Sequence, residues 1–301
     1  MDTLQKLYHD ILEKNADPRV KHWTLMGSPV PTLVIIAIYL ALILVILPAY
    51  MKNRKPFNLK TTIKCYNVFQ ILSCIFIIYT MYTAGWAQGE IKFGCAPVDY
   101  SNNPNPVKLL GAFYWIYLLK MVELIETVFF ILRKKSNQVS PLHIYHHAST
   151  YLLTYIGCKF VGGGMASFPV MVNSFIHVLM YTYYYLSSLG PEWQKKLAPW
   201  KPRLTIAQML QFTLLIFHAL TALPSSCKIP KQFLLIYLPN VVIIYKMFYD
   251  FYMKSYKKTD NTQANNSKPQ ANNSKPQANN SKQNGVKVSQ KNQTSSKSKR
   301  T

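Results

Sequence analysis

The stretch HIYHHASTYLLTYIGCKF, residues 143–160, decides how the chain is read. It is apolar and long enough to enter a bilayer, yet it opens with three histidines. At about 100° per residue, His147 lies roughly 40° from His143, with His146 roughly 60° on its other side. All three imidazoles therefore point into one sector of a helix. Ionisable groups at membrane depth face a bundle interior or a polar cavity, and they mark function.

The flanking sequence supplies the bundle. The chain has 301 residues, half of them hydrophobic, and a formal charge of +23. A window of about 20 residues predicts seven spans at 31–50, 65–86, 109–132, 142–161, 168–190, 204–223 and 233–253. Lys120, Glu123 and Glu126 interrupt the third. The class expected is an all-α integral membrane protein. Its layout is an N-terminal segment 1–30, a membrane catalytic domain 31–258 and a tail 259–301. The first 30 residues carry mixed charge and show no cleavable signal pattern. Basic residues crowd the segments 51–64, 133–135 and 191–203 and the tail, while the alternate loops are poorer in them. The positive-inside rule then puts the N-terminus in the lumen and the C-terminus in the cytosol, a parity that seven spans satisfy. These loop positions explain the charge better than a nucleic-acid surface does, so no nucleic acid is expected.

That topology places Cys95 and Cys227 in two lumenal loops, where an oxidising compartment permits a disulfide between them. Two unrelated thiols are the alternative. From Thr259 onward the sequence is low in complexity, with QANNSKP at 263–269 and 270–276 and QANNSKQ at 277–283. Such polar repeats are expected to be disordered. The sequons at Asn265, Asn272, Asn279 and Asn292 would lie in the cytosol, unglycosylated. Lys297 and Lys299 resemble a dilysine signal for retrieval to the endoplasmic reticulum.

The chemistry candidates follow. A membrane di-iron desaturase or hydroxylase needs about eight ligands from several histidine boxes, and the chain has only seven histidines in all. It has no HExxH and no CxxC pair, so no metal is expected. Imidazole can act as a nucleophile as well as a base. Cys158 lies 12 residues beyond His146, about 18 Å along a helix, and cannot share its site; Cys65 and Cys74 stay open. Asn173, His177, Tyr181 and Tyr184 form one face of the fifth span, with core packing as the other reading of the tyrosines. Lys120, Glu123 and Glu126 recur every three residues, either at a site or as an ion-pair network that only holds helices together. Thr205, Gln208 and Gln211 repeat that spacing, for interhelical hydrogen bonds or a polar cavity. His218 stands alone and reads as a packing histidine. Lys246 and Asp250 read as a local pair.

Four of these motifs, HIYHH at 143–147, NSFIHVLMYTYY at 173–184, KMVELIET at 120–127 and TIAQMLQ at 205–211, resemble the Elo family of very-long-chain fatty acid elongases over roughly residues 25–255. One departure is Glu126-Thr127, where the family usually has Asp-Thr. The resemblance implies a bundle of seven helices, six of them forming an inverted barrel around a substrate tunnel, in the endoplasmic reticulum membrane. It implies a 3-ketoacyl-CoA synthase: malonyl-CoA and a long-chain acyl-CoA give 3-ketoacyl-CoA, CoA and carbon dioxide, with no cofactor. It assigns the nucleophile to His146. His177 is expected to polarise the reacting carbonyl with help from Asn173, and His143 and His147 to orient their neighbour. Lys120, Glu123, Glu126, Tyr181, Tyr184, Gln208 and Gln211 are expected at the substrate. The ketoacyl-CoA reductase, dehydratase and enoyl reductase of the cycle are candidate partners. A seven-span receptor or a transporter shares the architecture, but DRY and NPxxY signatures are missing.

Overall fold

The computed structural model describes residues 14–257; among them every regular element is helical. The tail repeats, the sequons, the dilysine pair and His9 lie outside the described residues. In chain order the helices are α1 (Val30–Met51), α2 (Lys60–Trp86), α3 (Pro104–Glu123), α4 (Ile125–Leu132), α5 (Pro141–Val161), α6 (Ser167–Ser187), α7 (Pro191–Leu197), α8 (Trp200–Leu220) and α9 (Lys231–Lys257). Among the described residues, five helical stretches are long and apolar enough to cross a membrane: α1, α2, Gly164–Ser187 (which includes α6), α8 and α9. The chain is a multi-pass helical membrane protein. The polar residues of the two remaining long stretches, α3 with α4 and α5, dilute their hydropathy.

Local chemistry sets the helix ends. Ser140 caps α5, its hydroxyl accepting from the His143 N–H, and Pro141 occupies the first turn, where a missing N–H costs nothing. Prolines likewise open α1, α3 and α7. The stretch 109–132 is helical with one irregular turn: α3 ends at Glu123 and α4 begins at Ile125, Leu124 keeps helical dihedrals (φ −57°, ψ −26°), and its N–H turns back to the Met121 carbonyl at 3.3 Å. This tightened i→i−3 turn marks a local break in the α-helical hydrogen bonding. The 191–203 connection is largely helical, because Pro191 starts the short α7 and α8 already begins at Trp200.

α2 packs along α6, α6 against α8, α8 against α9, α9 against α5, α5 against α3, and α3 against α2. α1 packs beside α4 and α5. Its Leu33, Val34, Ile38, Leu44 and Val45 are exposed, which suits a lipid-facing surface. Polar side chains tie the neighbours: Thr32 to Tyr117 (2.9 Å), Tyr117 to Tyr151 (3.1 Å), Tyr145 to Asn240 (2.9 Å) and Trp86 to Ser167 (2.8 Å). Where lipid tails are as apolar as leucine, such bonds and close packing replace the hydrophobic drive between helices.

One end of the bundle is capped. Cys95 and Cys227 are joined by a disulfide with a Cα separation of 5.7 Å. Gly164 turns beneath it at φ 51°, where a side chain would collide with the Ala96 and Pro97 carbonyls. The segment before α1 folds back onto the same end, an arrangement for which its mixed composition gave no signal. Val20 and Met26 are fully buried. Asp17 pairs with Arg19 at 2.6 Å, and its N–H donates to the Lys159 carbonyl at 2.8 Å. The buried Lys159 ammonium donates in turn to the Met26 and Gly27 carbonyls, at 2.8 and 3.1 Å. Hydrogen bonds to a charged group contribute about 1.5–3 kcal/mol. Lys159→Met should therefore loosen residues 17–27 by an amount of that order. Trypsin should then cut after Arg19 or Lys21 in the variant well before it does so in the parent protein.

Candidate active site

The break at Leu124 sits between two carboxylates, and the site is built around them. Glu123 ends α3 and is fully buried. Lys120, one turn earlier, donates to both of its oxygens at 2.9 and 2.8 Å. From α6, His177 Nδ1 lies 3.4 Å from Glu123 Oε1. Glu126, in the first turn of α4, receives two phenols: Tyr181 from α6 at 2.5 Å and Tyr66 from α2 at 3.0 Å. Gln70 donates to the Tyr66 hydroxyl at 2.8 Å. From α5, His147 Nε2 lies 3.7 Å from Glu126 Oε2. Thr127 then links Tyr39 of α1 (2.8 Å) to His143 Nε2 (3.0 Å).

Three of the four histidines are thereby engaged: His143 by Thr127, His147 by Glu126 and His177 by Glu123. His146 differs. Its ring lies edge-on to His147 at 5.6 Å and near Phe248 at 6.2 Å. Neither of its ring nitrogens has a hydrogen bond or ionic contact among the described residues, and its Nδ1, like that of His147, is buried without a partner. His146 lines a cavity of about 120 Å³ that Lys120, Asn173 and Gln211 also border and whose remaining wall is largely apolar, including Phe113, Phe212 and Ile244. A second cavity of about 280 Å³ reaches Glu126 and is more polar, bordered by Tyr66, Asn67, Arg133, Tyr184 and Gln194.

The structure thus gathers His143, His146, His147, His177, Lys120, Glu123, Glu126 and Tyr181 into one cluster. Asn173 and Gln211 stand on the wall of the apolar cavity, and Tyr184 on the polar one. Gln208 is set apart, since its amide meets the Met180 sulfur at 3.5 Å. Sequence reasoning did not single out Tyr66, Gln70 or Tyr39, and it named Thr127 only as the last residue of a motif. The first three sit on helices without a motif, so no pattern pointed to them. Cys74 and Cys158 are buried free thiols, and Cys65 is exposed. Lys246 and Asp250 pair at 2.6 Å on the exposed surface.

Glu126, His143 and His147 offer ligand atoms within 4.8 Å of one another. Two histidines with a carboxylate are a donor set that zinc accepts. Here each of the three already makes a hydrogen bond or close ionic contact inside the cluster. A search for linear motifs could not find this group, because α4 and α5 assemble it.

Residues 24–264 match the sequence model of the ELO family, described as the GNS1/SUR4 family. The chain belongs to that family. This GNS1/SUR4 member is 40% identical over 256 residues to a very long chain fatty acid elongase of Aedes aegypti, covering 85% of this chain and 71% of that one. It is 41% identical over 249 residues to very long chain fatty acid elongase 4 of Homo sapiens, covering 83% and 78%. To very long chain fatty acid elongase 7 of Drosophila melanogaster it is 36% identical over 264 residues, covering 86% and 80%.

Breaking a buried ion pair by removing one partner costs about 3–5 kcal/mol, whereas replacing both by apolar groups is often neutral. In this family member Glu123→Ala should lower the unfolding midpoint in detergent accordingly. The double variant Lys120→Met/Glu123→Leu should recover most of that loss. Equal midpoints for Glu123→Ala and the parent protein would show that the pair is not buried as described.

Proposed function

We propose that this chain is a fatty acid elongase that catalyses the condensing step, joining malonyl-CoA to a long-chain acyl-CoA. The observation that carries the reading is His146, an imidazole with no hydrogen bond to its ring nitrogens, on the wall of a largely apolar cavity. Family membership and the relatives' activity as very long chain fatty acid elongases support the substrate class.

The acyl chain lies in the apolar cavity with its thioester at His146. The imidazole attacks the carbonyl carbon, the C–S bond breaks, and CoA leaves as the thiol after taking up a proton. The acyl-imidazole keeps a high transfer potential. Malonyl-CoA then loses carbon dioxide, and its enolate attacks the acyl carbon. A C–C bond forms, the C–N bond breaks, and the departing imidazole nitrogen takes up one proton from water, which regenerates neutral His146 with 3-ketoacyl-CoA as product. His177, held by Glu123, and Asn173 stabilise the oxygen on which charge develops. Lys120 and Gln211 meet the substrate at the cavity wall. Glu126, Tyr181 and Tyr66 position His147, and His143 is held by Thr127. No metal enters these steps.

In this reading the closed succession of contacts among α2, α6, α8, α9, α5 and α3 is the six-helix inverted barrel, with α1 as the seventh span. The basic loops face the cytosol and the disulfide faces the lumen of the endoplasmic reticulum. A receptor or transporter would bind ligand without releasing CoA.

Intact-protein mass spectrometry after incubation with acyl-CoA alone should show an acyl adduct in the parent protein and none in His146→Ala, which should also lose condensation. An adduct that survives the substitution would move the nucleophile elsewhere. Exhaustive chelation should leave condensation intact. Activity lost on chelation and restored by stoichiometric zinc or iron would make the Glu126, His143 and His147 group a metal site.

A further inference from the structure

Toward the disulfide end of the bundle lies a separate, small chamber of about 40 Å³, and it shares Ala166, Pro169, Phe233 and Tyr237 with the apolar cavity as walls. His146 borders the cavity and Val161 the chamber. The rise of α5 from one to the other is about 22 Å, so the chamber lies beyond the cavity along the helix that carries His146.

Two polar side chains border that chamber, and neither is satisfied. His218 is 2% exposed, and its Nε2 has no hydrogen-bond partner among the described residues. The Tyr237 hydroxyl is buried and likewise unpartnered. Both rings pack against aromatic neighbours. His218 lies 4.5 Å from Phe168 and 5.2 Å from Phe93, and Tyr237 stacks on Phe233 at 5.6 Å. Ala219 and Leu234 of the chamber wall pack in one buried cluster with Cys227 of the disulfide. The histidine expected to be a satisfied packing residue is therefore packed but not satisfied. A methyl group set against these two would leave both unpaired, which is unfavourable in a buried site. A hydroxyl can accept from the tyrosine and donate to an imidazole nitrogen.

We propose that the chamber is a binding site for a polar chain end, and that the protein accepts acyl-CoAs carrying a hydroxyl at the ω carbon. Tyr237 and His218 are the hydrogen-bonding groups of that site. The inference rests on the condensing reading, in which the acyl chain runs from His146 toward the chamber. Shorter hydroxylated chains would leave the hydroxyl stranded in the apolar cavity and be disfavoured.

The test uses the full chain in nanodiscs with malonyl-CoA and matched acyl-CoA pairs, with and without the ω-hydroxyl, graded in length. The kcat/KM ratio of hydroxylated to plain substrate should stay below one for short pairs. It should rise about tenfold at the length that reaches the chamber. Tyr237→Phe, which keeps the ring, and His218→Leu should each flatten that rise. If His218→Leu does not fold, Tyr237→Phe decides alone. A flat ratio in a protein that elongates plain chains would overturn the ω-site and leave the condensing reading standing. A rise that survives both variants would equally remove these two groups from the role. No turnover of plain chains at any length would instead sink the condensing reading, and this inference with it.

Discussion

Two carboxylates buried three residues apart are the constraint that the rest of the site answers. Glu123 and Glu126 flank the helix break at Leu124, and neither could stay buried alone. Moving one charge from water into a low-dielectric interior costs several kcal/mol unless partners surround it. Lys120 answers Glu123 from the same helix, and His177 approaches it from α6. Among the described residues Glu126 forms no ion pair with a lysine or arginine; it takes hydroxyls from α2 and α6 and faces His147 from α5. Five helical segments, α2 to α6, are thus committed to one another by polar satisfaction rather than by apolar area.

Hydroxyls carry much of that commitment. Tyr39, Tyr66, Tyr117, Tyr151 and Tyr181 each bridge to another helix through the phenol oxygen. A tyrosine supplies a rigid apolar body with one donor at its tip, so it packs like a core residue and still meets a buried acceptor. The distinction drawn from sequence between core tyrosines and functional ones therefore dissolves at Tyr181, which is fully buried and also holds Glu126.

Much of this was legible in the sequence because the relevant residues lie on single helices. HIYHH at 143–147 and the face from Asn173 to Tyr181 follow helical periodicity, and the structure places them as that geometry requires. What the sequence concealed was pairing between helices. Nothing in the pattern around Tyr66 or Tyr39 distinguishes it from other tyrosines in apolar runs. The break at Leu124 was hidden too, because Leu, Ile and Val around it favour no particular end. The folding-back of residues 17–27 depends on Lys159, a lone charge near the end of α5 that reads as an ordinary basic residue until its carbonyl acceptors are seen.

The cluster also divides the interior. On one side Glu126 borders a polar cavity with Arg133 and Gln194, and on the other His146 borders the largely apolar one. A condensing site needs that asymmetry. An acyl chain must be taken out of water, while a thioester, a carboxylate and a leaving thiolate need polar surroundings. His143, His147 and His177 each set one ring nitrogen against the polar network, whereas His146 turns to the largely apolar wall. In the proposed reading His146 attacks without first breaking a hydrogen bond. The dense bonding of its neighbours fixes the helix that carries it, so its ring can remain free without becoming mobile. The same wall runs on to the chamber at the capped end. In the proposed reading, reactivity at one end rests on His146 and recognition at the other on His218 and Tyr237, three polar groups without hydrogen-bond partners among the described residues.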